Sequence, residues 1–206
     1  MGAIIQFKPE SLKKFDYKPV KKSKRVDLER HGQLNLFQTH SRQAKIIRLK
    51  SDLGPFEQGL LLDEKGDLHA KEFYQKAITQ QDYTADAYCN LGIIESKEGN
   101  SALAIDCFTN SLKHEPRHFE SHFNLANLYF DIGDLKLAKI HYQTAVAIQS
   151  DYPNVYFNLA LVLAIMEEFT AAVDALKNYK ALTTVSEHKN ADTLLKNLQL
   201  SLARKN

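Results

Sequence analysis

From about residue 55 onward, apolar side chains recur at the three- and four-residue steps of amphipathic helices, and the whole pattern repeats every 34 residues. Tyr88-Cys89-Asn90-Leu91-Gly92 returns as His122-Phe123-Asn124-Leu125-Ala126, and again as Tyr156-Phe157-Asn158-Leu159-Ala160. A second series keeps the same step: Ala70, Ala104, Ala138 and Ala172 are each followed four residues on by Tyr74, Phe108, Tyr142 and Leu176. Small and large residues at set offsets within a fixed period predict stacked helical hairpins.

The punctuation places four hairpins at about 55–81, 84–114, 118–149 and 153–182. Gly66-Asp67, Gly99-Asn100 and Gly133-Asp134 mark turns, while Pro116 and Pro153 fall between hairpins, where a missing N–H ends one helix and starts the next. The fourth hairpin has Met166-Glu167-Glu168-Phe169 and no glycine, which predicts a tighter or strained turn. Ala191, Leu194, Leu195, Leu198 and Leu202 then make one apolar stripe over 187–204, as a helix capping the open end of a stack requires. Residues 41–54 read as a linker or a short leading element, since Ala44, Ile46, Ile47 and Leu49 suit a strand and a helix equally.

Charge separates the chain into two parts. Residues 1–50 hold thirteen Lys/Arg against four Asp/Glu, and the remainder fourteen against twenty-one. Residues 1–40 therefore read as a basic tail with too little apolar surface to offset ordering entropy. Its cluster Lys21, Lys22, Lys24, Arg25 has the character of a solubilising extension, of a phosphate-binding footprint, or of a nuclear import signal. No apolar run approaches the roughly 20 residues that a membrane helix needs. Cys89 and Cys107 fall inside helical patterns, as expected for thiols in a reducing compartment, with the cytoplasm as the default location.

The repeated residues resemble those of the tetratricopeptide repeat family. Tyr88, Leu91-Gly92, Ala104, Phe108 and Pro116 match its pattern in the second unit; Leu125-Ala126, Tyr129, Ala138, Tyr142 and Ala145 match in the third. The fourth keeps Tyr156, Leu159-Ala160 and Ala172, and the first only Gly59, Ala70, Tyr74 and Ala77. The resemblance implies an all-α fold, a right-handed superhelix of about four helix-turn-helix units over 55–183, to which the apolar stripe adds a capping helix and the charge split a basic tail. It also implies a concave groove lined by the first helix of each hairpin.

On that reading Asn90, Asn124 and Asn158 form a ladder in the groove, with Asn127 one turn further on. An amide offers both donor and acceptor, so a row of them can hold the backbone of an extended peptide. Phe123, Phe157 and Phe130 would supply apolar pockets, and Cys89 a smaller one. Family members that hold chaperone tails in a carboxylate clamp need Lys and Arg on the inner helices; here Cys89, Phe123, Phe157 and Leu161 occupy those positions, which disfavours a co-chaperone role.

The chemistry expected is binding and not catalysis. There is no phosphate loop, nucleophile elbow or paired-cysteine metal site, and no cofactor is implied. His118 and His122 share a helical step but are more ordinary as surface residues than as metal ligands. Gln33-Leu34-Asn35-Leu36-Phe37 resembles the short peptide by which bacterial replication and repair proteins dock on the sliding clamp. Two functions follow: a scaffold whose groove binds an extended segment of another protein, or a nucleic-acid-associated adaptor acting through the tail. Oligomeric state stays open.

Overall fold

The computed structural model describes residues 13–21 and 53–205. Nine α-helices follow one another among them: α1 Pro55–Glu64, α2 Ala70–Thr79, α3 Thr84–Lys97, α4 Ser101–His114, α5 Phe119–Asp131, α6 Leu135–Ile148, α7 Pro153–Ile165, α8 Phe169–Leu182 and α9 Lys189–Lys205. A short 3-10 turn, Val185–Glu187, precedes α9. No strand is present among the described residues.

Close approach within each hairpin follows from the small residues. A Cβ on Gly92 would lie 2.8 Å from the Phe108 ring, and one on Gly59 would lie 2.8 Å from the Tyr74 ring. Ala104, Ala138 and Ala172 are fully buried, as close pairing of the helices requires. Tyr74, Phe108, Tyr142 and Leu176 are likewise fully buried, the first two against the glycine of their own hairpin's first helix.

The same chain reversal joins the helices of every hairpin. In each, one amide reaches back five residues and its predecessor three, as in Asp134 N–H to Tyr129 and Gly133 N–H to Phe130. The geometry demands a left-handed residue. Gly66, Gly99 and Gly133 supply it at φ 69°, 84° and 85°, and Glu167 supplies it at φ 60° in the fourth hairpin. The strain anticipated for that turn resides in this one residue.

Successive hairpins pack α2 on α3, α4 on α5 and α6 on α7, while α3 also touches α5 and α5 touches α7. The first helices of hairpins two to four thus share one inner surface. Helix α9 covers the end of the stack through Ala191, Leu194 and Leu198, all fully buried.

One stretch departs from the sequence expectation of a free basic tail over 1–40. Residues 13–21 are extended and lie along the inner surface, with Val20 buried in the core formed by α1–α5 and Phe15 packed on the core of the later hairpins. The reason is local: Phe15, Tyr17 and Val20 bring apolar surface into the basic run, and Pro19 keeps Lys18 out of the helical region.

Candidate functional site

The inner surface holds residues 13–21 through three asparagines spaced by 34. Asn90 Oδ1 accepts the Val20 N–H at 2.8 Å and its Nδ2 donates to the Val20 carbonyl at 3.0 Å. Asn124 does the same to Lys18, at 2.7 and 2.9 Å. Asn158 does so to Phe15, at 2.6 and 2.8 Å. Each amide therefore satisfies both backbone groups of one residue, as a neighbouring β-strand would. The segment runs antiparallel to the order of the repeats, its N-terminal end on the fourth hairpin.

All three amides are fully buried, and each spends the second hydrogen of its Nδ2 on a supporting group beneath. Those acceptors are Tyr74 Oη for Asn90 at 3.3 Å, Cys89 Sγ for Asn124 at 3.4 Å and Asn127 Oδ1 for Asn158 at 2.9 Å. A third tier orients the second: Tyr74 donates to Asp63 at 3.2 Å, and the Tyr142 hydroxyl donates to Asn127 Oδ1. Side chains fixed from below in this way present donor and acceptor to the groove without rotamer freedom to lose.

This geometry gives several of the expected groove residues other partners. Asn127 does not touch the segment; it holds Asn158 and Tyr142, and among the described residues its Nδ2 has no hydrogen-bond partner. Phe123 belongs to the core, packed against Phe119, Tyr142 and Tyr152. The Phe15 ring meets Phe157 edge-on at 5.3 Å. Phe130 is half-buried against the core of the later hairpins, and Cys89 is a buried support for Asn124.

Side chains of the segment find partners that the sequence pattern did not mark. The Lys18 ammonium pairs with Glu120 and lies 4.6 Å from the Phe119 ring centre and 4.9 Å from that of Tyr152. Lys14 lies 3.3 Å from Asp131, which also accepts the Tyr17 hydroxyl at 3.1 Å. Ser96 donates to that hydroxyl at 2.7 Å. Burial, helped by the Asp131 charge and opposed by the Ser96 bond, pushes the Tyr17 phenol well above its ordinary range. Phe15 also reaches Tyr179 at 6.0 Å. The signal for these contacts was present in the sequence as acids on inner helices: Asp86 stands 34 residues before Glu120, whereas Lys97 and Ile165 stand at the offset of Asp131.

Of the tail cations, Lys21 is exposed beside α1, where with Leu53, Glu57, Leu60, Leu61 and Glu64 it lines a cavity of about 330 Å³. Lys22, Lys24, Arg25 and the peptide Gln33, Leu34, Leu36, Phe37 lie outside the described residues. His118 does not sit beside His122 on a helix. It caps α5, its Nδ1 accepting the Ser121 N–H at 3.1 Å, and its Nε2 meets Asp86 at 2.9 Å. His122 bonds instead to the Pro116 carbonyl and to His141. Among the described residues no cluster of three or more His, Cys, Asp or Glu is arranged to hold a metal ion.

These hairpins, their glycine-turn reversals and the amide-lined inner face define a helical-repeat protein. Family comparison agrees: the pattern described as "Tetratricopeptide repeat" matches residues 85–118, and that described as "TPR repeat" matches 126–165. The chain is a tetratricopeptide repeat protein. It is 29% identical over 123 residues to Tetratricopeptide repeat protein 8 of Mus musculus, covering 60% of this chain and 24% of that one. It is 35% identical over 108 residues to the Homo sapiens Protein O-mannosyl-transferase TMTC3, covering 50% of this chain and 12% of that one. The chain thus spans a quarter or less of the length of these curated relatives. Among solved structures, the MamA protein superposes with a TM-score of 0.60 at 20% identity, over 71% of this chain and 81% of that one. The first tetratricopeptide domain of Spaghetti (RPAP3), bound to the HSP90 peptide SRMEEVD, gives 0.54 at 22% identity, over 58% and 93%. Among the described residues, no helix is long and apolar enough to cross a membrane.

Proposed function

We propose that this protein is a non-enzymatic interaction scaffold whose inner surface captures an extended segment of a partner protein. The observation that carries this reading is the threefold amide-to-backbone pairing of Asn90, Asn124 and Asn158 with residues 13–21. Hydrogen bonds to the main chain hold any extended peptide, and the pockets beside them select among side chains. A structural relative of the same repeat family is bound to a peptide, which supports the class of ligand.

The test is affinity capture with the intact chain and with the Asn124→Ala, Asn158→Ala double variant, bound proteins being identified by mass spectrometry. Specific partners should vanish from the variant while its helical circular dichroism is unchanged. Equal capture by both proteins would remove the groove from the account. No observation favours the nucleic-acid reading, because Lys14 and Lys18 are engaged with Asp131 and Glu120.

A further inference from the structure

Residues 13–21 show what the groove selects, and the selection is by side chain as well as by backbone. Resting on the peptide-binding reading above, we infer that the partner is a basic extended segment. It carries an aromatic residue, a lysine three positions on and a small aliphatic residue two further, and residues 13–21 compete with it from within the same chain.

Three subsites carry the inference. Phe15 enters an aromatic corner made by Phe157 and Tyr179, 5.3 and 6.0 Å away. Lys18 enters a box with Glu120 as its acid and the rings of Phe119 and Tyr152 as walls. An ammonium there keeps a charge partner and two ring faces, whereas a carboxylate would meet Glu120 with like charge. Val20 is buried among the apolar residues of the first two hairpins. The three residues whose side chains fill these subsites are the same three whose backbones the asparagines hold, so register and selection are fixed together. Asp131, paired with Lys14, adds a second preference for positive charge.

The charge pattern sets this groove apart from the one that receives SRMEEVD in the structural relative, since that peptide carries three acids. Here the acids belong to the groove. Occupancy within one chain is supported by position: Lys21 and Leu53, on either side of residues 22–52, line the same cavity on α1. A ligand in its own chain competes at an effective concentration on the order of 1 mM, enough to weaken an outside peptide substantially.

The experiment measures fluorescence anisotropy of a labelled peptide with the sequence of residues 13–21, titrated with the full chain. The wild type should bind it at least tenfold more weakly than the full-length Phe15→Ala, Lys18→Glu variant, whose own segment is weakened. A scrambled peptide, or one with Glu in place of the lysine corresponding to Lys18, should lose at least tenfold on that variant. Equal binding of native and scrambled peptides would overturn the selectivity while leaving backbone capture intact. Binding unaffected by adding Asn124→Ala and Asn158→Ala would instead overturn the underlying groove reading. Hydrogen exchange on the unmodified chain gives an independent check: the amides of Phe15, Lys18 and Val20 should be protected at every protein concentration. Fast exchange would refute occupancy, and protection that grows with concentration would assign the segment to a neighbouring copy.

Discussion

Asn124 and Lys18, 106 residues apart in sequence, form a closed ring in which one amide satisfies both the N–H and the carbonyl of one backbone residue. The remaining Nδ2 hydrogen of Asn124 goes to Cys89, so a neighbouring repeat fixes the orientation of the amide. Asn90 and Asn158 repeat the arrangement on either side. The hold on residues 13–21 therefore follows the repeat, and each of hairpins two to four contributes one step of the ladder.

Replacing Asn124 by Ala removes both bonds to Lys18. A neutral hydrogen bond contributes about 1 kcal/mol net, so loss of the pair should speed exchange of the Lys18 amide by tenfold or more. The Phe15 amide, held by Asn158, should change less. Nuclear magnetic resonance hydrogen exchange measures both. An unaltered Lys18 rate would show that side-chain contacts alone retain the segment.

Gly92→Ala tests the helix contact that the repeat requires. Alanine favours a helix by about 1 kcal/mol over glycine. Its Cβ, however, would lie 2.8 Å from the ring of Phe108, which is fully buried and has no open space to enter. Overpacking of this kind costs roughly 1–3 kcal/mol, so the variant should be less stable by about 1 kcal/mol despite its better propensity. Urea unfolding gives the sign directly; a stabilised variant would mean that the second hairpin is looser than the geometry indicates.

The helices were legible because packing imposes a period: Gly92, Ala126 and Ala160 must be small wherever Phe108, Tyr142 and Leu176 are large. The ladder was legible for the same reason, since Asn90, Asn124 and Asn158 share one offset. What the period does not encode was hidden. Nothing in the period singles out Glu120 and Asp131, and their importance emerges only when Lys18 and Lys14 are laid against them. The segment itself was obscured by its lysines, which read as charge for solvent until acids and rings in the groove account for them. Asn127, one turn beyond Asn124, was expected at the peptide, but the Tyr142 hydroxyl and Asn158 claim its oxygen first.

The fourth turn places a side chain where the other three have none. Glu167 sits at φ 60°, and a Cβ in that conformation costs about 1–2 kcal/mol. Comparing Glu167→Gly with Glu167→Val isolates the backbone effect, because both remove the carboxylate. The glycine variant should exceed the valine variant by about 1–2 kcal/mol in unfolding free energy, as β-branching is least compatible with positive φ. Equal midpoints in urea would show that the turn rearranges at no cost.

His122 and His141 set an acid limit on stability. Their Nδ1 atoms are 3.0 Å apart, His122 Nε2 is 3.1 Å from the Pro116 carbonyl, and Tyr129 stacks on His141 at 5.6 Å. This assigns the Nε2 proton of His122 to Pro116 and leaves its Nδ1 to accept from His141, an arrangement of two neutral rings. Burial, reinforced by the charge of His122, lowers His141 to about 4; burial also lowers His122, against the upward pull of the Pro116 carbonyl. An unfolded histidine protonates near 6.5, so at these two positions the unfolded chain binds more protons once the pH falls below about 7. The stability drawn from this pair should be complete above that pH and decline as it drops through 6.5 toward 4. His141→Asn retains a donor for His122 and removes one of the two titrations. Its unfolding free energy should therefore fall less between pH 7.5 and pH 5 than that of the wild type, carboxylate contributions being common to both. Parallel pH profiles for the two proteins would contradict a neutral, buried pair.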